Sequence, residues 1–449
     1  MRKNIRYLGP SLIIGLVVAL AVLWIVARPT GEPTGSYVGQ FLGAESVLLL
    51  SIGLVLVSTL PWVDSYFDGM DRAAIWHRRV AITGIVLLLP HVLLSQGSGP
   101  APEVLGNDSW AGPAGVIALV GLVILAVWAI LPRWRSIVPG FAQRPIAAIH
   151  DLPPSQFISR LVNNYEIWRG VHRTTGIFVA IAVAHGLGDA TLFSAAPVLR
   201  WSFITIGVVG LAFYLYRELF ARRSHRLRDY QVSEVKTVGK GWTEIVLSPL
   251  GPPINHGAGQ FVMLSLESKT GWERHPFTLA SSPSESDIRL TIRALGDYTS
   301  GLSEGLQPGM PAVLGGPYGR FRHSKGTRRQ VWVAGGVGVT PFLSWIRSLD
   351  EDPLQGPVEF FYTVPDEAPY SEEIAAIADP HSDLAFHLVR SDADGYLTVD
   401  DLLEALGGDV DDVSVFMCGP KSMVHVFREG LMTAGVPGHL IFHEYFDWR

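Results

Sequence analysis

The chain has 449 residues, 48% of them hydrophobic, a formal net charge of −6 and a single cysteine. Its mean hydropathy of +0.28 is too apolar for an ordinary soluble protein, and its length accommodates two or three domains. One cysteine excludes an internal disulfide framework and any cysteine-held zinc or iron–sulfur centre, and an acidic balance without a Lys/Arg-rich run excludes nucleic acid as a partner.

The apolar excess is concentrated in residues 1–220, whereas 231–449 shows turns, Gly/Pro punctuation and mixed charge. This predicts a membrane half followed by a cytosolic-type half. The opening "MRKNIRYLGPSLIIGLVVALAVLWIVARPT" has an apolar run too long for a signal-peptide core and no A-x-A-like cleavage site, so it reads as a first membrane helix. Stretches of roughly 20 apolar residues, enough to cross a bilayer, fall near 8–27, 40–60, 75–95, 113–132, 170–190 and 198–217. Arginine and lysine gather before the first, between the second and third, between the fourth and fifth, and after the sixth, while "QGSGPAPEVLGNDSWAG" has none. The positive-inside rule then places both the N-terminus and the polar half in the cytoplasm. The loop 133–168 is expected to hold a short amphipathic surface helix, and no internal repeat suggests a transporter.

The third span reads "WHRRVAITGIVLLLPH" and the fifth "RGVHRTTGIFVAIAVAHG". Each carries two histidines, His77 and His91, then His172 and His185, one near the arginine-rich end and one near the other. Separations of 14 and 13 residues set the two levels roughly 20 Å apart on a helix. Two facing imidazoles at each level can hold one haem iron from both sides, leaving no open position and favouring electron transfer. Gly84 and Gly176 lie between the histidines, where a porphyrin would approach backbone, and Arg78, Arg79, Arg169 and Arg173 flank the inner level as candidate propionate partners. Phase fits unevenly: fourteen residues return within about 40° of the start, thirteen miss by about 140°. The fifth span therefore needs a local distortion, and Pro90 is expected to kink the third. The competing reading makes these four buried polar histidines satisfied by neighbours. Arg28, at the outer end of the first span, is a candidate for drawing anions, Phe178 a bridge between the levels, and His150 and His225 are solvated loop residues.

From Tyr230 onward the period becomes strand-like, predicting an antiparallel barrel through "YQVSEVKTVGKGWTEIVLSP" and "AGQFVMLSLE". "RHPFTLASSP" and "LTIRALGDYTSGL" bring Arg293 and the hydroxyls of Thr278, Ser281, Ser282, Thr299 and Ser300, a set able to cradle a pyrophosphate and a flavin edge. "QVWVAGGVGVTPFLSWIRSL" runs from a β-branched strand into Gly335, Gly336 and Gly338, with Thr340 as N-cap and Pro341 at the first helical position. That is a dinucleotide pyrophosphate arrangement, although the spacing is not G-x-G-x-x-G. "PVEFFYTV" and "VSVFMCGP" supply further strands of one parallel sheet.

The order of barrel, "HPFT", "GPYGRF", "GGVGVTP", "CGP" and a terminal E-x-F resembles the ferredoxin–NADP reductase type of dehydrogenase module. Joined to six spans with paired histidines, nearly the whole chain resembles the NADPH oxidase and ferric reductase superfamily, specifically its compact prokaryotic members. The resemblance implies a six-helix transmembrane di-haem domain (1–222), an FAD-binding β-barrel domain (226–325) and an NAD(P)-binding α/β domain (326–449). It implies that His275, Pro276, Phe277 and Thr278 bind the flavin, with Arg293 at the FAD pyrophosphate. Gly335, Gly336, Gly338 and Thr340 then match the NAD(P) turn; Cys418, Gly419 and Pro420 lie beside the nicotinamide, and Phe446 stacks on the flavin, with Trp448 as its rival. The implied cofactors are FAD, two b-type haems and NADPH or NADH, in a multi-pass protein of the cell (plasma or inner) membrane. Its acceptor is oxygen, giving superoxide, or ferric iron. An electron-donating partner of another redox protein, or a diaphorase on a haem-free anchor, are the alternatives. The outer loop "DATLFSAAP" lacks the cysteines of the animal oxidases, and there is no EF-hand. "PDEAPYSEE" after "FFYTV" is acidic and would repel a 2′-phosphate, favouring NADH, with Arg390 as a counterweight.

Overall fold

The structure, a computed structural model, describes residues 5–58, 60–95, 110–130, 165–189, 192–220, 227–268, 271–294 and 297–444. They fall into two compact units, 1–223 and 224–448.

The first unit is helical: α1 (Ile5–Val26), α2 (Thr34–Leu56), α3 (Pro61–Phe67), α4 (Met70–Ser95), α5 (Ala111–Ile130), α6 (Tyr165–Arg173), α7 (Thr175–Asp189) and α8 (Pro197–Leu215), the last running into a π-helical turn, Tyr216–Phe220. Among the described residues five helices are long and apolar enough to cross a membrane, those containing α1, α2, α4, α5 and α8. The expected fifth span is not a single helix. It divides at Thr174, whose hydroxyl and amide both bond the Val171 carbonyl, while Thr175 Oγ1 donates to the His172 carbonyl. Hydroxyls bonding back to the preceding turn compete with the regular ladder, and this break is the distortion that the phase of His172 and His185 required. Pro90, by contrast, sits inside an unbroken α4.

Packing follows small residues. α2 lies along α4, α5 along α7, and α8 against α2 and α7. Ser46 Oγ donates 2.7 Å to the Gly84 carbonyl, and a Cβ on Gly84 would come within 3.2 Å of Leu50. A Cβ on Gly176 would strike the Tyr214 ring. Both glycines are thus filled by neighbouring helices, which corrects the expectation that they open space for a porphyrin. Helix backbones without Cβ approach more closely, as membrane bundles require in the absence of a hydrophobic drive between helices. Of the stretch 133–168, where a surface helix is expected, only 165–168, at the start of α6, are among the described residues; His150 and His225 lie outside them.

The second unit holds two sheets. One is antiparallel, built from β1 (Leu227–Gly239), β2 (Trp242–Pro249), β3 (Phe261–Ser268), β4 (Gly271–Thr278), β5 (Ile288–Arg293) and β6 (Pro311–Tyr318), in the order β4-β3-β6-β1-β2-β5. It curls until Leu279, just beyond edge strand β4, bridges Leu290 on the other edge. One bridge joins the edges where the barrel reading expected a continuous ladder. Alternation fills its interior: Ile288, Leu290 and Ile292 pack with Tyr230, Ile245, Leu247, Val262 and Leu264.

The other sheet is parallel: β7 (Arg329–Gly335), β8 (Val358–Val364), β9 (Leu384–Arg390), β10 (Val413–Cys418) and β11 (Ile441–Glu444), ordered β11-β10-β7-β8-β9. Residues 331–334 of central β7 are all fully buried, Trp332 and Ala334 in one core with Phe342, Trp345 and Phe416, Val331 and Val333 in the other with Leu402, Phe427 and Leu431. A strand covered on both faces reads as a continuous apolar run, which is why "QVWVAG" lacks alternation.

Candidate functional site

In the helical unit the four histidines meet in two pairs. His77 and His172 have ring centroids 6.2 Å apart at an interplanar angle of 84°; His91 and His185 are 6.4 Å apart at 70°. Two imidazoles bonding one metal from opposite sides at about 2.0 Å each have centroids about 6 Å apart. The residues present therefore fit a metal held between each pair.

The neighbouring helices orient the rings. His77 Nδ1 donates to the Gly53 carbonyl at 2.9 Å, His91 Nδ1 to the Gly39 carbonyl at 2.8 Å, and His185 Nδ1 to the Ala111 carbonyl at 2.8 Å. Each bond fixes the tautomer that leaves the lone pair on Nε2. Close approach is possible because Gly43 faces His91 and Gly115 faces His185: a Cβ at either would lie 2.8 or 2.7 Å from the ring. Sequence reading found the histidines but not these glycines, whose signal lay on other helices. His172 differs, its Nδ1 being buried without a hydrogen-bond partner among the described residues and its ring stacked on Trp168 at 5.5 Å and 13°.

The arginines divide. Arg173 forms a two-pronged pair with Glu218, with Nε 2.8 and 3.1 Å from the carboxylate oxygens, and Arg79 lies over Trp76. Arg173 is thus committed to an internal carboxylate, against its expected role at a propionate. Arg28 donates to Glu32 O and Thr34 Oγ1 and lies over Tyr37, closing the α1–α2 turn; nothing in this arrangement singles it out to draw anions. Phe178 packs on Gly121 of α5 with Leu122 and Tyr214 around it.

In the second unit the strand order reverses between β7 and β10: the chain goes from β7 to β8 and β9 on one side, then crosses to β10 and β11 on the other. Open parallel sheets bind ligands in the crevice at such a reversal, beyond the carboxyl ends of the strands. The candidate residues gather there. Gly335 ends β7, Gly336–Val339 form a 3₁₀ turn, and the turn continues into α10 (Thr340–Ile346). Gly336 has φ +53°, a conformation other residues adopt at a cost. Gly338 leaves no room for a Cβ beneath the Cys418 carbonyl, and Gly419 approaches Gly335 so closely that a Cβ would lie 3.0 Å from its Cα. Thr340 is not the N-cap: it is already helical, and its hydroxyl donates back to Val337 O at 3.0 Å. The 3₁₀ turn takes up the start that Thr-Pro seemed to mark.

Arg293, at the end of β5, lies over the Trp242 ring, with Nη1 2.8 Å from where a Gly336 Cβ would stand. The arginine expected at the flavin pyrophosphate and the turn expected at the dinucleotide pyrophosphate are therefore neighbours. In β4, Thr278 is buried and pairs with Phe261, Phe277 packs on the barrel core, and His275 and Pro276 stand opposite Leu264 and Met263. Thr299 and Ser300 lie in the first turns of α9 (Asp297–Gly305). Cys418 is fully buried, paired in register with Glu444; burial raises its thiol well above the usual range and the Glu444 carboxylate adds to this, so it is a neutral thiol. Phe446 and Trp448 lie outside the described residues.

Two further groups escaped the sequence reading. Tyr362, opposite Ala334, is buried in the apolar core with its hydroxyl unpartnered among the described residues. Arg347 joins the sheets: Nε and Nη2 reach Glu373 at 2.6 and 2.9 Å, Nη1 donates to Ala280 O at 2.8 Å, and Glu244 lies 3.5 Å away. Burial opposes this charge, but Glu373 and Glu244 outweigh it. Much of the acidic stretch after β8 is engaged here too, with Glu367 accepting the Lys240 amide and Tyr370 bonding Thr291 at 2.8 Å.

Residues 229–339 match the family described as "FAD-binding domain" and residues 332–429 that described as "Oxidoreductase NAD-binding domain". The reductase component of propane 2-monooxygenase from Rhodococcus jostii is 27% identical over 48% of this chain and 62% of its own. NADPH oxidase 1 of Rattus norvegicus is 31% identical over 35% of this chain and 28% of its own. Ferric reduction oxidase 7 of Arabidopsis thaliana is 26% identical over 48% and 28%. The chain thus spans less than two thirds of each of these relatives.

Proposed function

We propose that this chain, a member of the NADPH oxidase and ferric reductase superfamily with FAD-binding and NAD-binding domains of ferredoxin–NADP reductase type, is an oxidoreductase that carries electrons from NAD(P)H across a membrane to an external acceptor. The carrying observation is the pair of imidazole pairs, 6.2 and 6.4 Å across, between α4, which is long enough to span a bilayer, and the consecutive helices α6 and α7. When bound, FAD supplies the exchange of a two-electron hydride for single electrons and the haems supply one-electron carriage.

The residues then have these roles. The turn Gly335–Gly338, with Thr340 and Arg293, holds pyrophosphate groups at the strand reversal. Thr278, Thr299 and Ser300 hold the flavin edge, beside His275, Pro276 and Phe277. Cys418, with Gly419 and Pro420, bounds the nicotinamide position as a neutral thiol that leaves the hydride donor chemically undisturbed, and Phe446 covers the flavin until nicotinamide enters. His77 with His172 forms the inner centre and His91 with His185 the outer one. The division is 1–222, 226–325 and 326–449, six crossings with the dehydrogenase half in the cytoplasm. Exposed Asp366 and Glu372 favour NADH over a 2′-phosphorylated dinucleotide. The acceptor is oxygen or ferric iron. A second reading, electron donation to another redox protein, draws on the likeness to a monooxygenase reductase component.

The test is a visible spectrum of the purified, haem-replete full chain. Two b-type haems per chain, reducible by NAD(P)H, is the expected result; a colourless chain would leave only a membrane-anchored dehydrogenase. Superoxide-dismutase-sensitive dye reduction measured beside ferric-chelate reduction separates the acceptors, and poor turnover with both favours the partner reading.

A further inference from the structure

Three of the four histidines share one device. Nδ1 of His77, His91 and His185 each donates to a carbonyl on the adjacent helix. Such a bond raises the basicity of the ring and makes it a stronger donor to a metal on Nε2. His172 lacks it: among the described residues its Nδ1 has no hydrogen-bond partner, and its ring lies flat against Trp168. The indole is itself anchored, Trp168 Nε1 donating 3.2 Å to the Trp128 carbonyl and Trp128 Nε1 3.3 Å to the Trp168 carbonyl. The outer pair thus has two polarised imidazoles and the inner pair one.

We propose that Trp168 is a positioning residue that holds His172 by stacking where the other histidines are held by carbonyls, and that the inner centre is consequently the more readily reduced of the two. A weaker donor stabilises oxidised iron less, so it moves the centre toward reduction. Arg173, on the same helix as His172, is paired with Glu218. An electron entering from the dehydrogenase side then rests at the inner level, and onward passage depends on an acceptor drawing it.

This inference rests on the haem reading above, and spectroelectrochemical reduction of the full-length, haem-loaded protein tests it separately. Two resolved steps are expected. In His185→Leu, which spares the inner pair, the surviving haem should be the one reduced first. Trp168→Leu should shift the first step toward easier reduction and leave the second in place; Trp168→Phe, keeping a ring, should restore it. Trp128→Phe, which removes one anchoring bond but not the stack, should shift neither. Coincident steps, a surviving haem that belongs to the later step, or a Trp168→Leu protein with both steps unmoved would overturn the proposal while leaving the haem reading intact. Absence of any Soret band would instead sink the haem reading itself.

Discussion

In the helical unit the candidate ligands are side chains and the backbone supports them: carbonyls of Gly39, Gly53 and Ala111 grip the imidazoles from the next helix. In the sheet unit the roles exchange, with the backbone of Gly335–Gly338 and Cys418–Pro420 forming the candidate cradle and Arg293 beside it. The difference follows from what each proposed ligand, a haem iron and a pyrophosphate, demands. Iron needs a lone pair at a fixed distance, which only a side chain supplies within a helix whose own amides are all engaged. A pyrophosphate needs several amides converging on one point, which a strand end and a glycine turn supply without any side chain. Lesions should therefore be lethal at side chains in one half and at absent side chains in the other.

The largest expected effects test that contrast directly. Removing a ligand, His91→Leu, should cut delivery to the external acceptor by more than about 100-fold, beyond the loss typical of outer-shell partners, while NAD(P)H-driven reduction of a soluble dye stays within about twofold. Adding a side chain, Gly338→Val, should instead drive atoms into the Cys418 carbonyl and lower both activities about 100-fold, roughly 2.7 kcal/mol, with haem content unchanged. A Gly338→Val protein that keeps its dye activity would erase the distinction. Next comes Arg347→Met, which leaves buried Glu244 with Arg289 Nη1, 3.6 Å away, as its remaining cation and frees Glu373. It should cost about 3 kcal/mol, the low end for a broken buried pair because Glu373 is partly exposed, read as a fall in the melting temperature of flavin release.

A smaller effect is set by pH. His323 is buried beside Trp332 and Trp345, and burial lowers its proton affinity despite the Asp352 carboxylate 3.1 Å away. Unfolded, it returns to the ordinary value of 6.5 and binds more protons than when folded, so stability is full above about pH 7 and falls as pH drops below the unfolded value. His256, also lowered by burial, adds to the same trend. His323→Phe should flatten the pH dependence of melting of the sheet unit between pH 7 and 5. The smallest change is at Thr398, whose hydroxyl accepts the Asp401 amide in a capping box. Thr398→Ala should cost about 1 kcal/mol and alter neither activity.

Much of what the structure brings together at both candidate sites was legible because the signals were local. Histidine is the wrong residue for lipid unless it is used, and two of them at matched depths on two spans specify pairs before any packing is known. A strand ending in Gly-Gly-x-Gly specifies a turn that approaches something closely. What escaped lay between segments. An absent side chain at Gly84 or Gly176 does not say who takes the space, and Leu50 and Tyr214 did. Glu244, Thr291, Arg347, Tyr370 and Glu373 meet from positions up to 129 residues apart, and no pattern along the chain relates them. Thr340 misled for a different reason: Thr-Pro marks a helix start when the preceding residue is extended, and here Val339 is already helical at φ −66°, ψ −23°.

The break at Thr174 has an evolutionary consequence. A continuous helix locks the count between two functional residues, since one insertion rotates everything beyond it by about 100°. A joint absorbs such a change locally, so the interval between His172 and His185 is free to drift by a residue among descendants, whereas that between His77 and His91, on unbroken α4, is not.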